Sequence, residues 1–490
     1  MRGRRGAGEP GSRGIAASGR RGDGATGRRK KYALFLAATN IAGLRSANPA
    51  YPVDGCFSDA PMLQRRFAQA LKRPSALLAV LLLLTAAAAA YPIDGHIVTG
   101  IRRLLRLSLI QDGVLKGTLP PPGGMAGMGD IQLNLSGARG DSLATLPPAH
   151  PALQKEIATL FPNRDESYGL ALLDIRPGRA PRAAYHKADR QYNPGSVGKL
   201  AIAAGLFAEL ARRYPDDPAR RIALLRSREV VADAWSQPNH HEVPVFDPAT
   251  RAFAARAVRV GDRFTLYEWL DHMLSASSNA AASMVWKEII LMRAFGEAYP
   301  PTPEQADAWF AATPRDTLRT LAVSLVNDPL RTVGITENEW QLGSLFTATA
   351  KRAVPGETSY ATPTAMLKYL VAVERGKLVD AWSSLEIKRM MYMTARRIRY
   401  ASAPGLGDSR VYYKSGSLYR CQPEEGFTCG KYMGNVVNYM NSVGIVEGPD
   451  GRTYLVALMS NVLRKNSAVE HQTLATYIDR IIRRSAPPPQ

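Results

Sequence analysis

Apolar positions recur along this 490-residue chain in two rhythms. Residues 152–161 set Leu153, Ile157, Leu160 and Phe161 at the three-to-four spacing of a helix with one buried face. Residues 168–175 and 183–186 are short apolar runs joined by a Pro- and Gly-containing turn at 177–181, and they read as two strands. Pro194-Gly195 interrupts the pattern and opens an apolar stretch over 196–210. Thr265 and Glu268 form a Thr-x-x-Glu capping box for a helix over 266–274. Near the end, 411–414, 441–446 and 452–460 read as three strands, with a tight Gly-Pro-Asp-Gly turn at 448–451, and 468–482 reads as a closing helix. Strands thus come from both ends of a domain placed at 150–484, and helices from its middle. This order predicts an α/β protein of the α+β kind: one antiparallel sheet built from both chain ends, plus a mainly helical subdomain.

The segment before that domain, 91–149, has its own pattern. Residues 101–110 mix basic and apolar positions at helical spacing, which predicts a short amphipathic helix packed on the main domain; contact with a membrane surface is the rival expectation. Residues 117–129 are rich in Pro and Gly and read as a linker, and 148–151 as a further break.

Charge changes the picture of the first 90 residues. The chain carries 63 Lys plus Arg against 42 Asp plus Glu, a formal charge of +21. Residues 1–90 hold 15 of those bases and four of the acids, a net of +11, leaving +10 to the other 400 residues. Residues 1–31 are mostly Gly, Arg and Ala without period, a composition that cannot offset its chain entropy by burial. An RNA-binding arm is one reading, but no aromatic interleaves before Tyr32, so a disordered leader over 1–61 is expected and a nucleic-acid partner is not. Arg65, Arg66, Lys72 and Arg73 then precede the run 75–90, with small residues at Ala88 and Ala90. This matches a signal peptide over 62–90, with Met62 as the natural start. The run is shorter than the roughly 20 residues that span a bilayer. A periplasmic or secreted protein is expected, with an uncleaved anchor as the alternative. Three cysteines exclude a disulfide-dense scaffold and a four-thiolate zinc site.

The candidate chemistry begins at Ser196 and Lys199, within Asn193-Pro-Gly-Ser-Val-Gly-Lys-Leu200. At i and i+3 on a helix the two side chains share a face. Serine needs a base to become a nucleophile, and a lysine can serve when burial or a second cation favours its neutral form. A serine in a first turn also lies near unpaired backbone N–H groups that can hold an oxyanion. Ser-x-x-Lys alone is weak, since a helix-capping serine and a surface lysine look the same. Two elements follow in order: Ser277-Ser-Asn279 after the 266–274 helix, and Lys414-Ser-Gly416 at the end of the 411–414 strand. Such a three-part set belongs to class A β-lactamases and penicillin-binding proteins.

Residues 150–484 accordingly resemble a class A β-lactamase or its penicillin-binding relatives. Glu339-Trp-Gln-Leu342-Gly343 is similar to that family's Glu-x-x-Leu-Asn loop, and 354–357 with 361–366 resembles the loop's exit and following helix. The resemblance implies a β-lactamase/transpeptidase-like fold and a role for each matching residue. Ser196 is the acylated nucleophile and Lys199 its base, shared with Glu339 through water. Ser277 passes the proton to the leaving nitrogen. Asn279 holds the substrate amide and Lys199. Lys414 and Ser415, followed by Gly416, orient substrate and its carboxylate. The N–H groups of Ser196 and Ser417 form the oxyanion hole.

Three positions depart from the family pattern. Ser278 stands where the β-lactamases have aspartate, Gly343 where they have asparagine, and 417–441 forms a long insert beside the third element. In an exported protein its Cys421 and Cys429 are expected to pair as a disulfide, with two free thiols as the alternative. Glu337 is the rival loop carboxylate, more simply a solvated residue. The adjacent His240 and His241 cannot easily face one metal, and no His-x-x-x-His exists, so neither metal nor cofactor is expected. The expected activity is β-lactam hydrolysis through an acyl-enzyme. D-alanyl-D-alanine carboxypeptidase action is the close rival, and a β-lactam-sensing or wall-binding module the alternative of another class. The expected partner is a small β-lactam or a cell-wall peptide, with contact to an anionic envelope, in a monomer.

Overall fold

The computed structural model describes residues 93–392 and 397–484. The leader and signal-like run lie outside the described residues. Among the described residues, no helix is long and apolar enough to cross a membrane.

The chain runs through helix α1 (Arg102–Gln111), helix α2 (Pro151–Ala158), and strands β1 (Gly169–Asp174) and β2 (Arg182–His186). Helices α3 (Lys199–Arg213), α4 (Leu266–Leu274), α5 (Asn279–Phe295) and α6 (Arg315–Arg331) follow. Then come α7 (Pro363–Glu374) and α8 (Ala381–Tyr392). Strands β3 (Arg410–Arg420), β4 (Val437–Glu447) and β5 (Thr453–Asn461) and helix α9 (Ala468–Arg484) complete it. The five strands form one antiparallel sheet in the order β2-β1-β5-β4-β3, so strands from both ends meet at β1 and β5 as the pattern predicts. Leu172 lies opposite Val456, and Val443 opposite Lys414.

Every residue of β1 is buried, because both faces of the sheet are covered. Leu170 and Leu172 pack with Leu153, Ile157, Leu474 and Ile478 of α2 and α9. Ala171 and Leu173 face the other way, into the core shared with α3 and α7. Helix α3 is buried from Lys199 to Phe207, the all-round burial of a core helix. The capping box of α4 forms as read: the Glu268 N–H donates to Thr265 Oγ1 at 3.2 Å, and the Thr265 N–H to Glu268 Oε2 at 3.1 Å.

Helix α1 packs on the main body, as its pattern predicts, through ion pairs of Arg102 with Glu268 (2.6 Å) and Arg103 with Asp271. The Pro/Gly segment 117–129 has no long element, but it is fastened down rather than slung between parts. Tyr392 OH donates to the Gly123 carbonyl at 2.7 Å and accepts from the Ala126 N–H at 2.9 Å.

Strands β3 and β4 are longer than their patterns predict. They continue to Arg420 and begin at Val437, so they take up both ends of the 417–441 insert. The ladder pays no attention to polarity there: Ser417 pairs with Met440 and Tyr419 with Asn438. The Gly448–Gly451 turn closes as expected, with the Gly448 N–H on the Arg452 carbonyl at 2.8 Å.

Candidate active site

Ser196 sits on the 3-10 turn Gly195–Gly198, one turn before α3. Asn193 shapes the approach by accepting the Gly195 N–H at 2.9 Å. Gly195 has φ of +51°, and a Cβ there would stand 2.8 Å from the Ser417 nitrogen, so conformation and space both call for glycine. A Cβ on Gly416 would overlap the Pro194 carbonyl and lie 2.8 Å from Val197 N. The nucleophile turn and β3 therefore touch backbone to backbone. Asn441 of β4, directly opposite Gly416, fixes the contact by donating Nδ2 to the carbonyls of Asn193 (2.9 Å) and Pro194 (3.0 Å).

Lys199, the first residue of α3, is fully buried. Its Nζ donates to Ser196 Oγ at 3.0 Å, to the Ser277 carbonyl at 2.6 Å and to Asn279 Oδ1 at 2.8 Å. The Phe346 ring lies 4.8 Å away. Ser277 occupies the link between α4 and α5 with φ of +61°, a conformation that costs a non-glycine residue about 1–3 kcal/mol. That turn aims its carbonyl at Lys199 and its hydroxyl at Lys414, whose Nζ donates to Ser277 Oγ at 2.8 Å. Lys414 is also buried and donates to the Ser415 carbonyl at 3.0 Å. Ser277 is thus bracketed by two buried lysines, one of which holds Ser196.

Ser278 has a structural part to play. It is the N-cap of α5, and its hydroxyl accepts the Ala281 N–H at 3.2 Å. Serine and aspartate cap a helix about equally well.

The structure does not bring Glu339 to Ser196, and this corrects the expectation of a shared base. Its carboxylate accepts from Lys368 Nζ at 2.6 Å and from the Thr336 N–H at 2.8 Å. Burial pushes the carboxyl up, but Lys368 and the Thr336 N–H outweigh it and hold it below the ordinary range. Leu342 of the same loop does reach the site, where its side chain packs on Gly198. The backbone thus follows the resemblance while the acid turns to α7. Glu337 is exposed on the surface. Gly343 marks a close crossing: a Cβ there would lie 2.7 Å from the Thr358 carbonyl, and the Glu357 N–H donates to the Gly343 carbonyl at 2.6 Å. Glu357 and Thr358 occupy the space where a side chain at 343 would stand.

A cavity of about 510 Å³ opens over Ser196, Ser277 and Asn279. Ser415, Gly416 and Ser417 form one wall, and His240 with His241 line it as well, their rings tilted at 31° with centroids 4.4 Å apart. Among the described residues that line it, Glu357 is the acidic one. Cys421 and Cys429, on the segment between β3 and β4, are joined as a disulfide. Among the described residues there is no group of three metal-ligating side chains.

Sequence reasoning passed over Asn441 and Arg399. Buried Arg399, at φ of +57°, donates Nη1 to the Gly416 carbonyl at 2.7 Å and so braces β3. No local motif marks either residue; both act across 17 or more positions.

Residues 315–482 match the model of the β-lactamase enzyme family. No curated protein matches the chain. Among solved structures, it is similar to a β-lactamase from Sphaerobacter thermophilus at 16% identity, covering 69% of this chain and 99% of that one, with a TM-score of 0.44. A class A β-lactamase from Bacteroides cellulosilyticus gives 16% identity over 68% and 96%, with a TM-score of 0.45. The protein PBP-A gives 14% over 70% and 98%, with a TM-score of 0.45. Over residues 315–482, which include Lys414-Ser-Gly416, the match agrees with the resemblance to the β-lactamase family.

Proposed function

We propose that the chain is an acyl-serine hydrolase of β-lactams and cell-wall peptides that takes up its acyl group readily and releases it slowly. The observation that carries this reading is the pairing of Lys199 with Ser196 at 3.0 Å and of Lys414 with Ser277 at 2.8 Å. Ser196 Oγ adds to the amide carbonyl while Lys199 takes its proton. The N–H groups of Ser196 and Ser417 hold the oxyanion. The C–N bond then breaks, and the nitrogen leaves with a proton delivered through Ser277. Lys414 and Ser415 hold the substrate carboxylate. Water finally cleaves the ester, releasing the acid and restoring the hydroxyl. Slow release is supported by Glu339, whose carboxylate is engaged by Lys368 and Thr336. That favours carboxypeptidase-type turnover over a fast β-lactamase.

Incubation with a fluorescent penicillin and a chromogenic cephalosporin tests this, with Ser196→Ala alongside. A lasting fluorescent adduct, absent from Ser196→Ala, with slow colour is the expected result. Rapid colour would make the protein a fast β-lactamase, and an adduct with no peptide hydrolysis a sensor. No labelling of the wild type would sink the site assignment. Export by the 62–90 segment belongs to the same proposal. N-terminal sequencing of secreted protein should find a mature start near Tyr91, and a start upstream of residue 75 would count against it.

A further inference from the structure

Strand β3 does not stop at the site. It continues to Leu418 and Tyr419, which are 43% and 40% exposed, and both line the cavity. Tyr432, on the loop between β3 and β4, meets Tyr419 edge-on with centroids 5.7 Å apart. Arg399 lies 5.0 Å from the other ring's centroid, on Tyr432. This apolar lip is braced by its own fastenings. The disulfide clips 421 to 429, and Asn435 exchanges two 2.9 Å hydrogen bonds with Gln422. Asn435 also donates to Glu424 at 2.7 Å, and Glu424 pairs with Arg464 at 2.8 Å. Exposed aromatics on a braced support at a cleft mouth are poised for contact with a ligand.

The direction along β3 says which part of a ligand arrives there. In the acyl-serine reading, on which this inference rests, the carboxylate beyond the leaving nitrogen sits at Lys414 and Ser415, and the scissile carbonyl at Ser417. A chain running from carboxylate to carbonyl and onward next reaches Leu418 and Tyr419. Strand β3 is the last strand of the sheet, so its outer edge can pair with an extended backbone. We propose that Leu418, Tyr419 and Tyr432 form a subsite for the residues upstream of the scissile amide. The natural acyl donor is then an extended peptide rather than a compact bicyclic amide.

Two donors with the same D-alanyl-D-alanine bond test this: an N-acetylated dipeptide and a pentapeptide. The wild type should favour the pentapeptide in kcat/KM by about tenfold, mainly through KM. Leu418→Ser/Tyr419→Ser should cut that preference to within about twofold, while Tyr477→Ser, on the remote helix α9, should leave it intact. Fluorescent-penicillin labelling of Ser196 in each variant reports that the site is still assembled. Equal use of both donors by the wild type, or an unchanged preference in the double variant, would overturn the lip. Failure of penicillin and both donors alike would remove the acyl-serine reading itself, and the lip with it.

Discussion

Lys199 and Lys388 are both fully buried in this fold, and their surroundings differ in kind. Lys199 is held by a hydroxyl, a backbone carbonyl and an amide oxygen. Lys388, on α8, forms ion pairs with Glu374 and Glu447 at 2.7 Å each and donates to the Gln132 carbonyl at 2.5 Å. The carboxylates have further partners: the Asn134 N–H donates to Glu374 at 2.7 Å, and Tyr412 OH to Glu447 at 2.8 Å. Burial pushes the Glu374 carboxyl up, against the pull of Lys388. The cluster ties segment 132–134 to α7, α8 and β4. A lysine among carboxylates is a fastening whose charge is needed to keep its neighbours satisfied. A lysine beside a serine hydroxyl, bound by oxygens that accept from either amine or ammonium, can take a proton and return it. The partners, more than the burial, separate chemistry from architecture.

Substituting each lysine by methionine breaks the comparison at its strongest point. Lys199→Met should slow acylation of Ser196 by about 10²–10⁴-fold, the range for a lost general base, measured as the rate of fluorescent-penicillin labelling. Its melting temperature should move little. Lys388→Met should do the reverse, leaving buried Glu374 and half-buried Glu447 without their shared cation at about 3–5 kcal/mol in denaturant unfolding. Adding Glu374→Gln should recover part of that loss. Should Lys199→Met label at the wild-type rate, or Lys388→Met unfold like the wild type, the distinction between the two would collapse.

Acid sharpens the comparison by loading the architecture through other groups. His471 lies between Ser442 and Ser460 at 3.0 Å from each, and burial lowers it to about 3. Burial lowers His272, within α4, to about 4. An unfolded histidine takes its proton near 6.5, so between 6.5 and these values the unfolded chain binds more protons than the folded one. Stability is therefore complete above 6.5 and falls as the pH drops toward 4 and 3. Melting temperatures at pH 7.5, 6 and 5 should decline, and His471→Gln should flatten the slope. A flat wild-type profile over that window would show that neither histidine is held neutral.

Legibility followed sequence distance and direction. Ser196 and Lys199 were readable because three residues on one turn carry their relation, and Lys414 because Ser415 and Gly416 follow it directly. The sheet from both chain ends was readable because β1 and β5 are continuous apolar runs. The ends of β3 and β4 were not, since Ser417–Met440 and Tyr419–Asn438 are paired across the ladder without apolar alternation. Asn441 and Arg399 position the site through backbone carbonyls, and a side chain that serves a carbonyl leaves no motif. Glu339 shows the converse. Its loop matched in order, yet a carboxylate's direction depends on what receives it, and Lys368 lies 29 residues onward.

The smallest expected effect is at Glu339, and it bears on where a water-activating base can come from. Glu339→Gln keeps the acceptor oxygen toward Thr336 and removes the charge facing Lys368, whose ion pair is about a quarter exposed on each side. Partly exposed pairs are worth about 0–1 kcal/mol, so the melting temperature should fall by only a few degrees. Decay of the penicillin adduct should stay within about twofold of wild type, far below the 10²–10⁴-fold of a lost base. A long-lived adduct in Glu339→Gln would mean that the carboxylate leaves Lys368 during turnover and reaches the ester. Lys368→Met would then speed adduct decay by freeing the acid, whereas an acid that stays on α7 leaves decay unchanged in both variants. The two substitutions together separate a carboxylate that fastens the loop, as Glu374 fastens α8, from one that works beside Lys199.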